Sequence, residues 1–221
     1  MRIAILGGTG DLGAGLALRW GRDTNHDLLV GSRDPERARE SASEYEQVLA
    51  AHGVDRSIQG FENGMAAERG AVVLVAVSPY HVGDLLEAVG PRLDASAVVV
   101  TPAVGMKRGD AGMTYAPPPQ GSVAALVRER TPDPNPVVGA FHTLPAGKLA
   151  DLEQPLDQDT LVFGEDAEAV SQVRTLAGEI EGLGTLSAGG LGNAAAVESL
   201  TPLLVTLGQA NDAADLGLKI Q

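Results

Sequence analysis

Gly8, Gly10 and Gly13 are spaced G-x-G-x-x-G and stand between the apolar run Ile3-Ala4-Ile5-Leu6 and a segment where Leu12, Leu16, Ala17 and Trp20 recur at helical spacing. A strand running through glycines into a helix can hold a phosphate. The first glycine permits the tight turn, the second lets backbone approach a pyrophosphate, and the third lets helix pack on strand. Unpaired N–H groups at the helix start then face the anion. The chain has 28 glycines, so the spacing alone says little. Its position after a strand, and what stands about 20 residues further on, give it weight.

That second position is Gly31-Ser32-Arg33, at the end of the apolar segment Asp27-Leu28-Leu29-Val30. Dinucleotide folds commonly place an acidic side chain there, against the ribose hydroxyls. Here the place holds Ser32 and Arg33, and Arg37 follows on a helix opened by Asp34-Pro35. A hydroxyl and two guanidinium groups suit a 2′-phosphate. Charge-assisted hydrogen bonds of about 1.5–3 kcal/mol each would favour NADP over NAD by roughly two to four orders of magnitude. The alternative is two solvated surface arginines.

His142 is the third candidate. It directly follows the apolar segment Pro136-Val137-Val138-Gly139-Ala140-Phe141, and a histidine just past a strand end in an open sheet faces the cleft. His26, His52 and His81 have no comparable setting, and the four histidines show no metal-ligand spacing. No nucleophile–base constellation is evident. The small residues Gly139, Ala140 and Ala146 would let flat rings approach one another.

The elements that must position these groups alternate along the chain. Strands are expected at 3–6, 27–30, 57–61, 71–77, 97–101 and 136–141, with helices at about 12–20, 35–52, 63–69, up to 89, and 122–130. This alternation specifies a doubly wound, mostly parallel sheet. Ligands in such sheets lie beyond the carboxyl ends of strands, so Val77, Ser78 and Tyr80 should line the cofactor groove. Residues 102–136 loosen into an irregular loop around Lys107-Arg108-Gly109-Asp110-Ala111-Gly112 and Pro117-Pro118-Pro119. Lys107 and Arg108 either offset a cofactor's negative charge or are simply exposed. Beyond it a strand at 160–164, a helix at 167–181, an extended 185–188 and a helix that Pro202 should kink or divide form a smaller C-terminal lobe.

With 221 residues the chain can bury a substantial core without staples. It has no cysteine, which excludes disulfides and thiolate chemistry and suits a reducing cytoplasm. No apolar run approaches the roughly 20 residues of a membrane span. The net charge of −13 argues against nucleic acid and anionic membrane as partners. It also means that an anionic cofactor needs a local cationic pocket. Three lysines against thirteen arginines, among 29 acidic residues, fit salt adaptation, a biased genome composition or ordinary solubility.

Several of these segments, in order and across nearly the whole length, resemble the NADPH-dependent reductases of coenzyme F420, also called F420H2:NADP oxidoreductases. The carriers are 7–13, Gly31-Ser32-Arg33, Pro79-Tyr80, Arg108-Gly109, Gly112-Met113-Thr114-Tyr115, His142-Thr143-Leu144-Pro145-Ala146, Val197-Glu198-Ser199-Leu200-Thr201-Pro202-Leu203 and Leu216-Gly217-Leu218-Lys219. The resemblance implies an α/β fold of Rossmann type. NADP(H) would lie on a domain at 1–145, and the deazaflavin F420 would dock against a smaller lobe at 146–221. Hydride would pass between nicotinamide C4 and deazaflavin C5. Matching positions place Thr9, Gly10, Asp11 and Leu12 at the pyrophosphate, Ser32, Arg33 and Arg37 at the 2′-phosphate, and Tyr80 in the groove. They place Met106, His142, Ala146 and Leu216 at the nicotinamide and deazaflavin rings, with His142 orienting the deazaflavin. The family often has Asn in place of Asp11, Lys in place of Arg37 and another aromatic in place of Tyr80. The family and the apolar 200–207 segment imply a homodimer. Two other readings remain open on the residues alone: an NADPH-dependent reductase of another acceptor, such as an imine or metal chelate, and a non-catalytic NADP sensor.

Overall fold

The computed structural model describes residues 1–110 and 112–221. Ala111, inside the stretch read as irregular loop, lies outside them.

The alternating segments form β1 (Arg2–Leu6), α1 (Asp11–Asp23), β2 (Asp27–Ser32), α2 (Pro35–Ala51), β3 (Ile58–Glu62), α3 (Asn63–Ala67), β4 (Val72–Val75), α4 (Val82–Val89) and β5 (Val98–Thr101). Successive residues of β1 point to opposite faces. Ile3 and Ile5 enter a core layer with Leu16, Trp20 and Leu49, while Ala4 and Leu6 enter another with Ala66, Val82 and Leu86. Because helices cover both faces, β4 is buried at every position and its sequence is continuously β-branched or leucine.

Further elements are β6 (Met106–Gly109), β7 (Gly112–Tyr115), α5 (Val123–Arg130), β8 (Val137–Gly139), α6 (Ala146–Ala150), β9 (Gln158–Gly164), α7 (Ala167–Gly178), β10 (Leu183–Ser187) and α8 (Ala194–Ala210). The main sheet has eight strands in the order β10-β9-β8-β5-β4-β1-β2-β3. Every pairing in it is parallel except β8 with β9. The doubly wound, mostly parallel sheet is thus as expected. Strand order reverses between β1 and β4, which opens a crevice at their carboxyl ends. Strands β9 and β10, beyond residue 146, extend the same sheet, and α8 with the chain after it forms the C-terminal helical lobe.

Three expectations change. Residues 106–109 and 112–115, read as irregular, pair as two antiparallel strands in which Met106 faces Tyr115. Its strands are four residues long, polar and glycine-ended, so they carry no usable alternation. They are held from outside by α8, where the Thr206 hydroxyl accepts from the Met113 N–H at 2.9 Å. Pro202 does not divide α8, which continues through it. Contacts on both sides of the proline hold the helix together: Glu198 to α5 and Thr206 to β7. The segment expected as one strand at 136–141 stops at Gly139. Phe141 takes a left-handed backbone, φ 68°, its N–H donating to the Thr160 hydroxyl at 2.8 Å. That conformation is costly for a bulky residue and turns the chain sharply just before His142.

Among the described residues no helix is long and apolar enough to cross a membrane.

Candidate active site: two clefts along the sheet edge

The first cleft lies at the reversal point and encloses about 420 Å³. Gly7, at φ 76°, closes the turn after β1, and a Cβ there would sit 2.6 Å from Val77 Cγ1. At Gly13 a Cβ would sit 2.8 Å from the Gly8 Cα, so only glycine lets α1 start this close to the turn. Gly10 caps α1 without any side-chain acceptor, which leaves the first N–H groups of a 13-residue helix for a ligand. Gly7, Thr9 and Gly10 line the cleft. Gly8, Asp11, Leu12 and Gly13 do not line it; the two glycines shape it through the turn. The Tyr45 hydroxyl, from α2, pins that turn by donating to the Gly8 carbonyl at 2.8 Å. Tyr45 reads in sequence as one more helix residue.

Ser32, Arg33 and Arg37 converge on the same cleft. The Asp34 carboxylate caps α2 by accepting from the Glu36 N–H at 2.9 Å, which fixes the start of the helix that carries Arg37. Neither arginine is ion-paired among the described residues, so both charges face the cleft uncommitted. The Glu62 carboxylate also lines it, but is occupied by the Gly64 and Met65 N–H groups and by Arg92 at 3.3 Å. Val77 and Ser78 line the cleft as expected from the strand end. Tyr80 is not in the lining and is 76 % exposed, because the 3₁₀ turn Pro79–His81 points it outward. His81, set aside in sequence, lines the cleft instead. So does Asn63, whose buried Oδ1 has no hydrogen-bond partner among the described residues.

The second cleft encloses about 710 Å³ and collects Met106, His142, Ala146 and Leu216, four residues spread over 110 positions. One wall is α8, through Thr201, Leu204, Val205 and Gly208; another is the chain from Asp212 to Leu216. Lys107 and Arg108 are exposed on the hairpin beside Met106 and are not in the lining. The His142 ring is 5 % exposed and stacks on Phe163, centroids 5.3 Å apart and 19° from parallel. Among the described residues neither ring nitrogen has a partner, nor does the Thr143 hydroxyl. Burial pulls the His142 pKa down to about 3, so the ring is neutral, with one nitrogen to donate and one to accept. Buried polar atoms left this way are available to a bound group.

Helix α1 spans from one cleft toward the other. Its Gly15 meets Leu149 of α6 so closely that a Cβ there would be 2.5 Å from the Leu149 Cβ. The buried Arg19 guanidinium donates to the carbonyls of Leu149, Gln154, Lys148 and Asp151 at 2.5–3.1 Å, capping the end of α6. The helix that opens at the phosphate cradle therefore also anchors the helix whose first residue, Ala146, lines the second cleft. Among the described residues no cluster of His, Cys, Asp or Glu forms a metal site.

The two clefts fit two bound groups. The first suits a dinucleotide phosphate by its free helix N-terminus, glycine cradle and unpaired arginines. The second suits a flat polar ring by its unpartnered His142 and Thr143 atoms.

Residues 2–105 match the family model for coenzyme F420-dependent NADP oxidoreductase. An F420-dependent NADP reductase of Methanocaldococcus jannaschii is 35 % identical over all of this chain and 98 % of its own length. One from Methanothermobacter marburgensis is 32 % identical with the same coverage. A crystal structure of a candidate F420-dependent NADP reductase from Arthrobacter sp. FB24 superposes with a TM-score of 0.82 at 25 % identity, covering 100 % of this chain and 99 % of that one. With full-length relatives at this identity and the same fold, the chain belongs to the F420-dependent NADP reductase family.

Proposed function

We propose that the protein, as a homodimer, transfers a hydride reversibly between NADP(H) in the first cleft and coenzyme F420 in the second. The observation that carries this reading is the convergence of Met106, His142, Ala146 and Leu216 on one cleft, with Ala146 on a helix that packs against α1, the helix opening at the phosphate cradle. When bound, the pair supplies hydride exchange between nicotinamide C4 and deazaflavin C5. The chain's own work is binding and alignment, which suits a site without an acid–base pair. Thr9, Gly10 and the first amides of α1 hold the pyrophosphate, and Ser32, Arg33 and Arg37 hold the 2′-phosphate. His142, kept neutral by burial, meets the polar edge of the deazaflavin as a hydrogen-bonding group and not as a cation. Residues 1–145 then serve mainly NADP and 146–221 mainly F420. For the dimer, the support is that α8 leaves Leu203 and Leu207 52 % and 42 % exposed on one helix. A chain without cysteine suits a reducing cytoplasm.

The test is to mix the protein with NADPH and oxidised F420 and follow loss of the deazaflavin's visible absorbance, then repeat with NADH. Bleaching with NADPH and little with NADH is expected. NADPH binding without bleaching would contradict the reading. Sedimentation of the same sample at the 22.7 kDa monomer mass would remove the dimer from it.

A further inference from the structure

The chain after α8 is a wall of the second cleft with little holding it to itself. Asp212 and Asp215 both take left-handed backbone, φ 50° and 53°, so the segment folds back on the body in two turns. Between Ala213, whose N–H bonds to the Gly208 carbonyl at 3.0 Å, and Leu218, the described backbone bonds include none within the segment. Its far end is fastened chiefly by Asp159 of β9. The Asp159 N–H donates to the Leu218 carbonyl at 2.7 Å, and its carboxylate accepts from the Ile220 N–H at 2.6 Å and from Lys219 Nζ at 3.3 Å. Lys219 also pairs with Asp157 at 3.2 Å.

The fit around this fastening requires particular residues. Asp159 is 4 % exposed and lies against Gly184 of β10, where a Cβ would run into its Oδ1. Gly217 crosses Gln158 so closely that any side chain would strike the Gln158 Oε1. The segment Leu216-Gly217-Leu218-Lys219 thus has a physical reading. Leu216 enters the cleft, Gly217 permits the crossing, and Leu218 and Lys219 engage Asp159.

We propose that Asp159 is a positioning residue for the deazaflavin: it touches no substrate, but latches the C-terminal segment so that residues 212–216 form a fixed wall of the second cleft. This rests on the function proposed above. A carboxylate buried on a strand with two donors from one short segment holds that segment more firmly than an exposed ion pair could. Loosening it leaves the first cleft untouched, since none of residues 212–220 lines it.

The test uses Asp159→Ala, Asp159→Asn and a chain ended at Leu216, which keeps every lining residue but removes the latch. For each, the Kd for F420 is read from deazaflavin fluorescence, the Kd for NADPH separately, and amide hydrogen exchange over 212–216. Asp159→Ala and the shortened chain are expected to weaken F420 about tenfold, with NADPH within about twofold, and to speed exchange about tenfold. Asp159→Asn, which still accepts from the Ile220 N–H, should recover part of both. Unchanged exchange and F420 affinity would overturn the latch. So would an equal loss of NADPH affinity, which is what a merely structural role gives. Failure of the unaltered protein to bind F420 would instead remove the proposed function, and the exchange rates would still judge the latch.

Discussion

Replacing Arg33 and Arg37 together by alanine raises the KM for NADPH about a hundredfold and leaves residual NADH turnover nearly unchanged. Both arginines line the first cleft, neither is ion-paired among the described residues, and α2 is capped so that Arg37 is held toward the cleft. Each phosphate contact is worth about 1.5–3 kcal/mol when well formed; exposure of both side chains moves the expected effect to the lower end, about 10²-fold. Because NADH lacks the 2′-phosphate, it reports everything else about the cleft. Steady-state kinetics with both nucleotides checks this. Parallel loss for NADPH and NADH would mean that the arginines act on the fold or on the pyrophosphate, and the clamp would be wrong.

The second large effect is on stability and comes from His142. Its folded pKa, about 3, lies below the ordinary value of 6.5 because burial disfavours the charged ring. Between those limits the unfolded chain binds a proton that the native one does not. The contribution is therefore complete above pH 6.5 and is lost as pH falls toward 3. A shift of this size corresponds to about 2 kcal/mol lost by pH 5 and of the order of 4 kcal/mol by pH 3. His142→Phe keeps a flat ring to stack on Phe163 and cannot titrate. Denaturant unfolding from pH 7 to pH 4 should show a markedly flatter decline for the variant. Glu198 works in the opposite sense, since burial raises its pKa, but it is common to both proteins and drops out of the comparison. Identical pH slopes would show that His142 is solvated or partnered in solution.

The N-terminal half was legible because its signals are local. Strands buried on both faces must be continuously apolar, as in Val72-Val73-Leu74-Val75, and the glycine turn and Ser32-Arg33 sit at fixed distances from such strands. The second cleft has no such signature. Met106, Ala146 and Leu216 are brought together by a hairpin, a five-residue helix and a folded-back segment, none of which has a readable period. Ala146 reads only as one of several small residues, and Met106 and Leu216 are marked by resemblance to a known family alone. Tyr80 and His81 show the same limit at shorter range, because a 3₁₀ turn decides which of two neighbours faces the cleft. Asn63 and Tyr45 carry no sequence signal because each acts through one atom while reading as an ordinary helix residue.

In the proposed reaction, hydride passes directly between groups held in the two clefts. Its most direct test is to mix the protein, NADPH carrying deuterium at both C4 positions, and oxidised F420 in ordinary water, and to analyse the reduced deazaflavin by mass spectrometry and NMR. One deuterium at C5 is expected. Reduced F420 carrying only solvent hydrogen at C5, or no reduction while both molecules bind, would contradict it.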